Sequence, residues 1–117
     1  MDSEDLLYEL LPLLNRFGVD PRVPRACHEF FLVKIQEFEG SDAECIEHIV
    51  KMTPSWFRCL NTGPEWIQNP KWMFSEGKPM VFVGQIDVKS SEGWPESAFF
   101  LFWNPDNGDT EVVHQSD

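Results

Sequence analysis

Leu6, Leu10, Leu13, Leu14 and Phe17 recur at helical spacing at the start of the chain. Ser3 stands where it can cap such a helix, and Glu4 and Asp5 sit where the macrodipole favours anions. The pattern predicts a helix over 3–17, kinked or interrupted at Pro12 and stopped by Gly18. Asp20-Pro21 and Val23-Pro24 punctuate the link to a second helix, expected from Pro24 to about Glu39. Its apolar positions (Ala26, Cys27, Phe30 to Val33, Ile35, Phe38) span an unusually wide face, as in a helix covered on more than one side. Gly40 ends it. Ser41-Asp-Ala-Glu44 is a capping box for a third helix with Ala43, Ile46, Ile49 and Val50 facing inward, closed by Thr53-Pro54.

The pattern changes at Pro54. The stretch to Pro79 holds Trp56, Trp66 and Trp72 and is rich in proline, too long and too apolar for a solvated loop. It predicts a short strand near Trp56–Leu60, then an ordered segment whose Trp66 and Trp72 plug the core. Glu76-Gly77-Lys78-Pro79 reads as a turn. Met80–Val88 is the strongest strand and is expected at the sheet's centre, apolar on both faces up to Gly84 as in a strand covered on two faces and truly alternating over Gln85–Val88, with Gly84 marking a bulge or a close backbone approach. Ser97–Trp103 is a second strand, apolar on both faces. Asn104 to Asp109 is turn chemistry, and Thr110–Gln115 returns as a hairpin partner on an edge, with Glu111 and His114 reaching water. Helices first and strands second predict an α+β fold: three N-terminal helices (1–53) packed on a mainly antiparallel sheet (54–117), as one domain over 1–117.

Composition narrows the function classes. The chain has 117 residues, 20 acids against nine Lys and Arg, and a net charge of −11. The acids are spread over both halves, so there is neither an acidic tail nor a basic patch. Nucleic acid and anionic membrane both need a basic footprint and are not expected as partners; the charge favours a basic protein partner, or merely solubility. No apolar run approaches the ~20 residues of a membrane span. The acidic start, MDSEDLLYELL, lacks the positive charge of a signal peptide. Three cysteines, an odd number without a repeating pattern, suit a reducing compartment, and the expected location is the cytoplasm.

Candidate chemistry is sparse. Cys27-His28, Cys45 with His48 three residues on, and Cys59 are the metal-ligand residue types. They lack a paired CxxC, and buried structural cysteines explain them better. Cys27, near a helix start, is the one thiol placed for activation, yet its neighbours are apolar. The glycines form no phosphate loop. Neither catalysis, metal nor cofactor is expected. Gln85 and Asp87 share a strand face; they either bind a ligand or, better, Gln85 holds the tryptophan loop through backbone hydrogen bonds.

Trp66, Pro70-Lys71-Trp72, then Gly77-Lys78-Pro79-Met80-Val81-Phe82-Val83-Gly84-Gln85-Ile86-Asp87 resembles the core signature of the YwqG-like domain of unknown function. The resemblance covers about residues 64–103, including Phe99–Trp103. It departs where Met73, not proline, follows Trp72, and the helical front half has no counterpart. It implies a small-ligand-binding module, with Trp66, Trp72, Gln85 and Asp87 around the ligand. By size, charge and architecture the chain also resembles small acidic bacterial immunity proteins. That resemblance implies a non-enzymatic interaction protein that neutralises a cognate, basic toxin, with Asp42, Glu44, Glu47 and Trp94 as contact residues. The sequence leaves the oligomeric state open.

Overall fold

The computed structural model describes residues 1–89, 91–92 and 95–117, without the side chains of residues 95 and 96. The fold is α+β. Helices α1 (Ser3–Leu14), α2 (Arg25–Glu37) and α3 (Asp42–Trp56) come first. A two-residue hairpin, β1 (Phe74–Ser75) with β2 (Lys78–Pro79), precedes β3 (Val81–Lys89), β4 (Pro95–Trp103) and β5 (Thr110–Ser116). The last three form an antiparallel sheet in the order β3-β4-β5.

The helix starts follow side-chain capping. Asp2 caps α1, taking the Asp5 N–H at 2.9 Å, so the cap falls one residue before Ser3. Ser41 and Glu44 form the full reciprocal box on α3. The two prolines do less than expected. Pro12 lies inside α1, which runs on to Leu14 and then tightens into a 3-10 turn over Asn15–Phe17. Gly18 closes that turn at φ 75°, in the left-handed region open to glycine. Pro54 does not close α3, which continues to Trp56. The fully buried Thr53 hydroxyl donates to the Ile49 carbonyl at 2.7 Å, and the Phe57 N–H returns to the Thr53 carbonyl at 2.8 Å. Packing and these bonds outweigh the bias against helix before proline. Trp56 is therefore helical rather than part of a strand. Only Arg58–Leu60 reaches the sheet: Phe82 N–H donates to the Arg58 carbonyl, and Leu60 N–H to the Phe82 carbonyl, each at 2.9 Å.

The core is one cluster drawn from all three helices, the segment after α3 and the inner face of the sheet. An aromatic chain joins its halves. Phe57 stacks on Phe31 of α2 (5.5 Å, 3°) and meets the edge of Trp72 (5.2 Å). Trp72 then meets Phe82 of β3 and Phe102 of β4. Trp66 lies on Phe100 at 4.4 Å. The stretch between α3 and β3 is thus the layer between helices and sheet. It is fixed by proline and bulky rings rather than by regular hydrogen bonding.

Two expectations about the sheet need correction, the central strand and the coverage of β4. The centre is β4, not Met80–Val88, which forms an edge beside only the short Arg58–Leu60 bridge. Gly84 marks a bulge, the first of its two expected readings, with a register shift between Phe82 and Gly84; a Cβ there would meet nothing within 4 Å, so the second, a close backbone approach, does not apply. β3 is covered on both faces only before Gly84, where Met80, Val81 and Phe82 are all buried; beyond it, and along β4, one face is open. Ala98, Phe100 and Phe102 are buried, whereas Phe99 and Leu101 are exposed. On the helices, Ala43 and Val33 face solvent, while the rest of the wide apolar face of α2 is covered by α1, by α3 and by Phe74 of the hairpin.

Candidate functional site

The residues around Trp66 and Trp72 are occupied by the fold itself. Trp72 is 1% exposed, and its indole N–H donates to the Met80 carbonyl at 2.8 Å. The Trp66 indole N–H donates to the Gly18 carbonyl, also at 2.8 Å, tying the loop to the end of α1. Gln85 is a backbone clip. Its Oε1 accepts from Glu65 N–H (2.8 Å), and its Nε2 donates to the Glu65 carbonyl (3.1 Å) and to Asp87 Oδ1 (2.7 Å). This is the structural role expected for Gln85. Trp72 has no surface left to offer a ligand.

A second clip, Gln115, escaped the sequence reading. It is buried on β5; its Oε1 accepts from the N–H groups of Ile67 (3.0 Å) and Gln68 (2.9 Å), and its Nε2 donates to the Asn69 carbonyl (2.8 Å). The available signal was period two: Val113 and Gln115 share the inner face, so a glutamine stood where an apolar residue was expected.

The cysteines are held as thiols. Burial, and secondarily the charge of Asp20, pushes the Cys27 thiol far above its ordinary range, and its S–H donates to the Asp20 carbonyl at 3.2 Å. Burial chiefly raises Cys45, with Asp42 adding to it, and burial raises Cys59. Cys45 points into the core, while His48 is exposed with its ring against Phe38 at 5.2 Å. The two do not share a pocket.

The acidic candidates lie at the start of α3 and are exposed. Asp42 Oδ2 is 3.1 Å from the N-terminal ammonium of Met1. Glu44 is engaged in the capping box, where first the backbone N–H and then the hydroxyl of Ser41 hold its carboxyl below the usual carboxylate range. Glu47 lines a shallow hollow with Phe38, His48 and Lys51. Trp94 lies outside the described residues.

The surface that the sequence did not reveal is the outer face of the sheet. Pairing places Gly84, Ile86 and Val88 of β3 beside Leu101, Phe99 and Ser97 of β4. Val112, His114 and Ser116 of β5 continue the same face. None of these positions is Asp, Glu, Lys or Arg. Ile86 (69% exposed), Val112 (59%), Val88, Phe99 and Leu101 are open to solvent, and Phe99 stacks on His114 at 4.6 Å. An antiparallel sheet commonly leaves one face wet, but that face is then polar. A contiguous apolar patch marks an interaction surface.

No protein-family model, curated protein or solved structure gives a significant match to the chain. Function therefore has to be argued from these surfaces. No helix among the described residues is long and apolar enough to cross a membrane.

Proposed function

We propose that this chain is a non-enzymatic interaction protein, and specifically an immunity protein that binds and neutralises a cognate basic toxin. The observation that carries the reading is the uncharged, apolar outer face of the sheet on a chain of net charge −11. Burying that face supplies affinity, because removing apolar surface from water is the main favourable term in association. The charge supplies partner choice. Among the described residues ion pairs engage Asp42, Asp20, Glu29 and Glu4, and the chain as a whole keeps its surplus of acids. The remaining field steers a basic partner and repels an acidic one. Glu47, with the exposed Asp42 and Glu44, belongs to that acidic surround.

The test is co-expression with the product of the neighbouring gene. That product should be toxic alone and harmless with this chain, and should co-purify with it. Ile86→Lys and Val112→Lys should lose both protection and co-purification while keeping the fold. A neighbour that is harmless when expressed alone removes the toxin; full protection by both variants removes the sheet face.

A further inference from the structure

One cleft runs against the charge of the molecule. It has a volume of about 280 Å³ and lies where α2, the end of α3 and the β1–β2 hairpin meet. Lys34, Arg58 and Lys78 all line it, three of only nine Lys and Arg in the chain. Among the described residues none of the three has an ion-pair partner, although acids outnumber bases twofold.

Their supports are fixed. The Lys34 ammonium lies over the rings of Phe30 (5.3 Å) and Trp56 (5.2 Å), which hold it beside an apolar wall. Arg58 follows α3 directly, with its carbonyl bonded to the Phe82 N–H. Lys78 follows a two-residue turn in which Glu76 and Gly77 both have positive φ, 54° and 76°. Across the cleft Asn104 is clamped: its Nδ2 donates to Ser75 Oγ and its Oδ1 accepts from Asp106 N–H, each at 2.9 Å. Glu76 and Asp106 also line the space, so the lining carries three positive and two negative charges.

We propose that this cleft binds a small organic anion bearing a single carboxylate, with its apolar part against Phe30, Trp56 and Pro79. Three cations without an ion-pair partner among the described residues call for an oxyanion, and the arginine offers it a bidentate fork. The two carboxylates leave a surplus of one positive charge, which suits a monoanion and disfavours phosphates and polyphosphates. The volume lies just under the ~300–1,000 Å³ range for ligand pockets, which fits a ligand of amino-acid size. The site shares no residue with the sheet face and stands whether or not the chain neutralises a toxin.

The experiment is a titration of the ¹⁵N-labelled full chain with acetate, hexanoate and benzoate, read at the Trp56 indole N–H, which Trp56→Phe assigns. At least one carboxylate should give a saturable shift below about 10 mM, and its neutral amide should bind at least roughly tenfold more weakly. Lys34→Gln, Arg58→Gln and Lys78→Gln should each weaken that carboxylate at least about threefold. Resonances away from the cleft should stay in place in each variant. Any one of three results overturns the proposal: no saturation by any carboxylate, equal binding of the amide, or inorganic phosphate displacing the carboxylate at lower concentration.

Discussion

Gln115→Leu should unfasten the segment that joins the helices to the sheet. The side chain is 5% exposed and makes three bonds to backbone groups of Ile67, Gln68 and Asn69. Each such bond contributes about 1 kcal/mol net, and a polar group left buried without a partner costs about 1–3 kcal/mol. Leucine matches the volume but answers none of the three groups. Had they remained buried, the cost would exceed about 5 kcal/mol. The loop runs along the surface, where Gln68 and Asn69 are exposed, so it can lift and hydrate, which limits the loss. The expected destabilisation is about 2–4 kcal/mol, a large share of the ~6–17 kcal/mol typical of a domain this size. That corresponds to a fall in Tm of roughly 8–16 °C at about 4 °C per kcal/mol. Urea unfolding measures the free energy; amide exchange at Ile67 and Gln68 locates it. A variant that loses under about 1 kcal/mol, with both amides still protected, would refute the clip.

The other expectations follow from burial and charge. Trp72→Ala should cost about 3–5 kcal/mol in urea unfolding, since the ring is buried among Phe57, Phe82 and Phe102. Ile86→Lys, at a position 69% exposed, should change stability by less than about 0.5 kcal/mol. The Glu44 carboxyl titrates below its unfolded value, so its contribution is complete above the unfolded pKa and is lost as pH falls through the folded one. Wild type should therefore lose stability more steeply than Glu44→Gln between about pH 5 and pH 3. Cys27, raised by burial and bonded to the Asp20 carbonyl, should resist a thiol reagent at neutral pH until the chain unfolds; rapid labelling of Cys27 in the native protein would contradict that environment.

The helical half was legible because its signals are local. Ser41 and Glu44 announce α3 within four residues, and the capping box forms as written. Pro54 shows the limit of such signals. Its effect on the preceding residue is a bias of the dipeptide, whereas Thr53 is held helical by complete burial, which no dipeptide encodes. The role of Gln85 was also readable, since a glutamine that follows the apolar run Met80–Val83 has to satisfy four hydrogen-bonding positions with something nearby. Gln115 needed the same argument, but its partners lie nearly fifty residues upstream, and nothing local points to them.

The two surfaces on which the proposals rest were illegible for different reasons. In Ser97–Trp103 every position from Ala98 onward is apolar, so the alternation that normally tells the inner face from the outer is missing. The run matches a strand buried on both sides, and only pairing with β3 and β5 shows that Phe99 and Leu101 look outward beside Ile86 and Val112. The cost of keeping such rings in water is not offset within this fold, which is why the face is the stronger evidence for a partner than the acids of α3. The cleft was hidden by distance: Lys34, Arg58 and Lys78 are spaced over forty residues and look like scattered surface charge. They converge because the Phe57 and Trp72 rings seat the β1–β2 hairpin against α2. Trp72→Ala should therefore weaken carboxylate binding at the cleft as well as the fold, although Trp72 does not line it. Wild-type affinity in a folded Trp72→Ala variant would mean that the hairpin finds its place without that ring.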